Sequence, residues 1–155
     1  MIWGFTGPRG GPSRVQSLWL KTLFDTVGYK CTFHHGACIG SDAAAHWRAI
    51  DAGVPIIVVH PPISTKYMMD LCIPAIRVTP RYGVQYRVKG TLVKVLPAKR
   101  YYDRDRDIVD VAERMVSTPA GPPTPHSGTW LTINYALSQH KPISLCYPDG
   151  EEDEL

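Results

Sequence analysis

No apolar run in this chain approaches the roughly 20 residues that a membrane-crossing helix needs, so the sequence contains no candidate span. Its N-terminal residues have no basic segment ahead of an apolar one, which implies no secretory signal and a cytoplasmic location. The four cysteines, Cys31, Cys38, Cys72 and Cys146, include no Cys-x-x-Cys pair. That spacing argues against a zinc site or a disulfide framework and for reduced, structural thiols. Asp103-x-Asp105-x-Asp107 starts like a calcium loop, but Ile108 stands where glycine is required and Arg114 where the bidentate Glu belongs. His34-His35 lack a third ligand in sequence, so no metal and no cofactor is expected. Also missing is G-x-G-x-x-G with an acid about 20 residues on, which excludes an ordinary NAD dehydrogenase. Ser127 has no local base beyond the adjoining His126, which leaves little room for a serine hydrolase.

What is present suits a single soluble domain: 155 residues with 44% hydrophobic content can bury a proper core. The net charge of +3 hides an asymmetry. Five acids and no base fall in Asp149 to Leu155, so 149–155 is an acidic tail behind a domain at 1–148. Nine of the 17 Lys and Arg residues lie between Arg77 and Arg106, with Asp103 and Asp105 the acids among them. A charge run of this kind is either a solvated face or a surface turned toward something anionic.

Three times a short strand pattern ends in small residues that open a helix. Ile2 to Thr6 runs into Gly7-Pro8-Arg9-Gly10-Gly11-Pro12-Ser13, and Val15, Leu18, Trp19, Phe24 and Val27 follow at near-helical spacing. Cys31 to His35 runs into Gly36-Ala37-Cys38-Ile39-Gly40-Ser41-Asp42, then a helix over Ala43 to Ala52 that Gly53 closes. Met115 to Thr118 leads through the Pro/Gly-rich run Pro119 to Pro125 into Ser127-Gly128-Thr129 and a helix to about His140. Helix starts leave about four backbone N–H groups unpaired and carry about half a positive charge, so each turn is a candidate anion site. Ser127 and Thr129 hydroxyls suit both helix capping and donation to a bound oxygen.

Pro55 to His60 reads as a central strand buried on both faces, and Ile143 to Tyr147 as a late strand. Lys66 to Leu71 is expected to form a helix ended by Pro74. Val84 to Lys89 and Thr91 to Val95 alternate apolar with polar residues around Gly90, the pattern of a basic hairpin or edge strand. Ile108, Val111, Ala112 and Met115 form a helical stripe, with Asp105 or Asp107 placed to cap its start. The order is βαβαβ, a basic insertion at about 64–97, then αβαβ. This predicts an α/β Rossmann-like domain whose mostly parallel sheet is flanked by helices, with the glycine turns gathered along its carboxyl edge.

The motifs in this order resemble the SLOG superfamily, the Rossmann-like group that holds the DNA-processing protein DprA, the LOG phosphoribohydrolases and nucleotide-sensing domains. The DprA branch is the most similar. Its glycine turn, Asp and Ala-Ala-His are echoed by Gly36 to His46, its Arg-Asn-Arg-x-Ile by Arg104-Asp105-Arg106-Asp107-Ile108, and its Ser-Gly-x-x-x-Thr by Ser127 to Thr132. Where LOG enzymes carry a glutamate that takes part in N-glycosidic cleavage, this chain has Thr132. A hydroxyl cannot replace a carboxylate as nucleophile or as stabiliser of an oxocarbenium charge, so binding ranks above catalysis and no catalytic residue is assigned.

The resemblance and the loops together imply a nucleotide or nucleotide-derived ligand, of ADP-ribose or cyclic type among others, bound for sensing or sequestration. Its candidate site is Gly7, Arg9, Gly10, Gly36, Gly40, Ser41, Asp42, Ser127, Gly128, Thr129 and Thr132, with Arg100 and Arg104 as phosphate-binding cations. Asp42 would accept a ribose hydroxyl or tie the loops together. Two alternatives stay open: DprA-like single-stranded DNA binding, with Tyr101 or Tyr102 stacking on bases, and a nucleoside monophosphate N-glycosidase in which Asp42, Asp103 or Asp105 replaces the glutamate. Relatives of this fold commonly pair, so a homodimer or higher homo-oligomer is the expected state.

Overall fold

A computed structural model describes residues 1–72 and 83–155 of the chain. Five elements open it: β1 (Ile2–Thr6), α1 (Arg14–Val27), β2 (Thr32–His35), α2 (Ser41–Asp51) and β3 (Ile56–Val59). A hairpin of β4 (Val84–Val88) and β5 (Thr91–Val95) follows, then α3 (Tyr101–Val111), β6 (Arg114–Ser117), α4 (Gly128–Ser138), β7 (Ile143–Cys146) and β8 (Glu152–Glu154). The sheet order is β4-β5-β3-β2-β1-β6-β7-β8, with β5 through β7 mutually parallel and an antiparallel strand at each edge. The expected α/β Rossmann-like architecture is present.

Strand alternation sorts β1 between two cores. Trp3 and Phe5 point into a cluster with Leu20 and Phe24 of α1, Phe33 of β2 and Ala45 and Ala49 of α2. Gly4 points the other way, where a Cβ would sit 2.5 Å from Met115 Sδ and 3.0 Å from Ile108 of α3. On that face Ile108, Met115, Trp130, Ile133, Ile143 and Leu145 close the second core. Two helices therefore cover each face of the sheet. Fully burying a side chain such as Phe33, which is completely enclosed, contributes about 1.5–3 kcal/mol.

The described part of the basic insertion is built into the sheet. Lys89 and Gly90, both at positive φ, make a two-residue turn between Val88 and Thr91, and β5 then pairs with β3. Lys66 to Leu71 is not helical: six residues form too short a helix to offset the cost of nucleation, and the segment instead lies along the loop after β2. Met69 N–H donates to the Ala37 carbonyl and Ile39 N–H to the Tyr67 carbonyl. Pro74, Arg77 and Arg81 lie outside the described residues.

Helix α3 starts at Tyr101, ahead of the expected caps Asp105 and Asp107, which lie inside it. Arg100 holds its N-cap position in extended conformation, and Met115 belongs to β6 rather than to the helical stripe. The acidic end stays exposed while Glu152–Glu154 forms an edge strand, held by Trp19 Nε1 donating to Glu152 and by an Arg114–Glu154 ion pair at 2.9 Å. No helix among the described residues is long and apolar enough to cross a membrane.

Candidate functional site

The chain leaves β1 toward β2 on one side and, after the hairpin, crosses back by α3 to β6 on the other. The β1/β6 boundary is therefore the topological switch point, where open α/β sheets bind ligands beyond the strand ends. A cavity of about 410 Å³ opens there, within the usual span of small-ligand sites, roughly 300–1,000 Å³. Its walls are the loop after β1, the loop after β2, the first turns of α3 and the start of α4.

The start of α4 supplies donors. Ser127 is its N-cap, and its Oγ accepts from Trp130 N–H at 3.2 Å. Trp130 Nε1 in turn donates to the Gly121 carbonyl at 3.1 Å, which pins the Pro/Gly loop over the helix end. Among the described residues nothing accepts from the N–H groups of Gly128 and Thr129, and both residues line the cavity. They combine free donors with the positive end of the helix.

The start of α2 is arranged differently. Gly40 sits at φ +82°, and a Cβ there would lie 2.2 Å from the Arg9 carbonyl oxygen. Glycine at this position lets the loop after β1 rest directly on the helix end, so that the Pro8 carbonyl accepts from Ser41 N–H at 3.1 Å. The protein's own carbonyl thus occupies part of what the sequence presents as an anion cradle. Gly7 packs behind, against the side chains of Ser41 and Thr118.

Arg104 forms the floor. Its side chain passes where a Gly36 Cβ would be, and Nη1 donates to the Gly36 carbonyl in a short contact and to the His60 carbonyl at 3.4 Å. Nη2 meets Cys38 Sγ at 3.3 Å, and Nε donates to Asp105 Oδ1 at 2.6 Å. Asp42 is buried nearby and accepts from Cys38 N–H at 3.1 Å. Burial pushes the Asp42 carboxyl up to about 7, while Arg104 and the N–H groups of Cys38 and Gly36 pull it down. Burial also raises Asp105, against Arg104 and the Thr132 hydroxyl. Burial that raises Asp42 toward neutrality, and the Arg104 cation paired with Asp105, make the site less repulsive to an anion than two free carboxylates would.

Above the floor stands Arg9, exposed at the rim, its guanidinium 3.8 Å from the Tyr67 ring centroid and 5.5 Å from that of Tyr101. The aromatic faces hold the cation in place. Below the floor lie two buried histidine pairs, His34 Nδ1 to His60 Nε2 and His35 Nε2 to His46 Nδ1, each at 2.8 Å. Ala37 N–H donates to His35 Nδ1 at 3.0 Å, so His35 carries its proton on Nε2 and gives it to His46, whose own proton must be on Nε2. That last nitrogen is buried without a partner. Burial lowers His34 and His46 to about 4 and His60 to about 3, and His35 falls well below its ordinary value, so all four rings are neutral. No group of three or more metal-ligating side chains occurs among the described residues.

No protein-family profile matches this sequence, and no curated protein matches it. Solved structures do match. DNA processing protein A (DprA) from Streptococcus pneumoniae aligns with TM-score 0.63 and 16% identity over 94% of this chain and 50% of its own. DprA from Helicobacter pylori, solved for its single-stranded DNA binding mode, aligns with TM-score 0.62 and 13% identity over 94% of this chain and 65% of its own. The chain has the fold of these DprA structures. A structural-genomics target named TM1055 shares it, with TM-score 0.59, 18% identity and coverage of 92% of this chain and 71% of that one. The chain thus spans half of the pneumococcal DprA and somewhat less than two thirds of the Helicobacter one.

On this DprA-like framework the candidate residues divide. Gly7, Arg9, Gly36, Asp42, Arg104, Ser127, Gly128 and Thr129 line one cavity. Gly40 and Ser41 lie behind it as packing for the loop after β1, and Gly10 is exposed on that loop's outer side. Arg100 faces a separate cleft with Lys99, Asp103, Arg106 and Asp107, because the N-cap departs from the helix track that carries Arg104 inward. Thr132 lies one turn into α4, where its hydroxyl bonds the Gly128 carbonyl at 3.1 Å and Asp105 Oδ2 at 3.4 Å. Sequence reasoning missed Tyr67, whose contact with Arg9 joins segments with no shared motif. It also missed the histidine pairing, which alternation along β2 could have hinted at by sending His34 and His35 to opposite faces.

Proposed function

We propose that this protein binds a nucleotide or nucleotide-derived small molecule in the cavity at the β1/β6 switch point, to sense or sequester it. The observation that carries the reading is the open start of α4. Gly128 and Thr129 line the cavity, their N–H groups have no acceptor among the described residues, and Arg9 is held at the rim. Free donors, a helix N-terminus and a stacked guanidinium together suit a phosphate. Asp42 and Asp105, which line the same cavity, would then accept sugar hydroxyls. Binding ranks above cleavage because the hydroxyl of Thr132 is engaged with Gly128 and Asp105. An N-glycosidase would have to rely on Asp42 or Asp105; Asp103 faces the separate cleft.

Native mass spectrometry with mononucleotides, cyclic dinucleotides, ADP-ribose and short single-stranded DNA tests the reading and reports the oligomeric state, for which we propose a homodimer. An intact nucleotide retained at low micromolar concentration supports it. Retention of none of them defeats it.

Single-stranded DNA binding is the second reading, favoured by the shared fold with the Helicobacter protein and by the exposed Tyr102. The described part of the basic stretch offers less to a phosphate backbone than its charge count implies. Lys89 pairs with Asp51, Lys99 with Asp107, and Arg104 is buried on Asp105. DNA affinity that falls steeply with salt would favour this reading, because each phosphate contact releases counterions.

A further inference from the structure

Beside the phosphate end of the main cavity, a second groove of about 260 Å³ lies between α3 and α4. The two share Tyr101, Asp105 and Gly128 in their walls, so they lie side by side. Their chemistry differs. The main cavity offers backbone N–H groups and cations, whereas the groove is walled by Tyr102, Leu131 and Tyr135 with Thr132 at its base. The Arg106 guanidinium lies 5.7 Å from the Tyr102 ring centroid and 5.0 Å from that of Tyr135, which presents a planar cation between two aromatic rings. Tyr102 is 64% exposed and Leu131 45%, so both present apolar surface beside a polar site.

Building on the nucleotide reading above, we propose that this α3–α4 groove is the nucleobase subsite. The ligand is then a 5′-phosphorylated nucleoside that spans both cavities. Its phosphate meets the start of α4, its sugar passes Asp105, and its base lies against Tyr102, Leu131 and Arg106. Adjacency selects this occupant, because Gly128 lines both the phosphate end of the main cavity and the groove, so a ligand anchored by phosphate there has its remaining groups next to the groove. Composition agrees: every nucleobase has a π face that stacks on tyrosine or a guanidinium plane, with little dependence on base identity. Asp105 acts at the junction as a positioning residue. Its Oδ1 is held by Arg104 and its Oδ2 by Thr132, which fixes the carboxylate while leaving lone pairs for a sugar hydroxyl.

The test is calorimetry with adenosine 5′-monophosphate, uridine 5′-monophosphate and ribose 5-phosphate on the wild-type chain, Tyr102→Ala and Tyr102→Phe. Base–aromatic stacking predicts that Tyr102→Ala weakens both nucleotides about tenfold and leaves ribose 5-phosphate unchanged, with Tyr102→Phe restoring nucleotide affinity. A purely structural role for Tyr102 would weaken all three ligands alike and overturns the proposal. Nucleotide affinity indifferent to Tyr102→Ala also overturns it while sparing the phosphate site. Failure of all three ligands to bind the wild-type chain overturns the subsite, and the wider nucleotide panel above then decides the parent reading separately.

Discussion

Acid should loosen this protein from beneath its candidate site. His34, His46 and His60 have native values of about 4, 4 and 3, depressed by burial from an unfolded value near 6.5. A depressed basic group contributes stability that is present above the unfolded value and lost as pH falls toward the native one. Asp42 has the opposite sign. Raised by burial to about 7, it contributes stability that is complete below its unfolded value and lost as pH rises through 7. Near pH 5 the unfolded chain holds about three more protons on these histidines and about one fewer on Asp42, a net of about two, or about 2.7 kcal/mol per pH unit. Near pH 6.5 the histidine difference is only half developed, so the drop from pH 6.5 to 5 comes to about 3 kcal/mol. That is a large part of an ordinary domain's 5–15 kcal/mol. His35 acts in the same direction as the other three. Guanidinium unfolding followed by tryptophan fluorescence, at constant ionic strength and half-unit pH steps, measures the slope. His46→Gln removes one of the linked protons and should cut the slope by about half. Unfolding free energy that stays level or rises from pH 6.5 to 5 would refute the argument, since it would mean that the paired rings charge without penalty.

Four further results are expected. Gly40→Ala, forced to φ +82° with its Cβ at the Arg9 carbonyl, should cost about 1–3 kcal/mol in backbone strain and weaken phosphate binding; thermal unfolding and calorimetry report the two effects. Ser127→Ala removes the α4 cap that accepts from Trp130 N–H, worth about 1 kcal/mol, and a Tm equal to wild type would contradict that assignment. Arg9→Ala, at an exposed rim position, should lower nucleotide affinity several-fold with Tm unchanged, because Arg9 stacks on Tyr67 without being buried. In native protein, iodoacetamide should label Cys72, which is exposed, ahead of the buried Cys31, Cys38 and Cys146; equal labelling of all four by mass spectrometry would show that the cores open readily.

Legibility in the sequence followed the range of the interactions. The strand–turn–helix units over 2–27 and 32–51 could be read because capping, glycine placement and apolar spacing act within a few residues, and Ser13 indeed closes a capping box with Gln16. The hairpin around Lys89-Gly90 was legible for the same reason. Lys66 to Leu71 was not, since its helical spacing is outweighed by backbone pairing with Ala37 and Ile39, some 30 residues away. The site shows the same division. Ser127, Gly128 and Thr129 announce themselves by composition. Arg104 looked like a free phosphate clamp, yet its guanidinium is committed to Gly36, His60, Cys38 and Asp105, partners that become neighbours only after the sheet forms.

Gly36 and Gly40 give up the space of a side chain to a neighbour, Arg104 in one case and the loop after β1 in the other, and so lock the cavity's loops to one another. The consequence is kinetic. Walls that are already assembled have little to rearrange when a ligand arrives, so association should run near the rate that diffusion and electrostatic attraction allow. Differences in affinity among nucleotides would then appear as differences in residence time, set by how long each base stays in its groove.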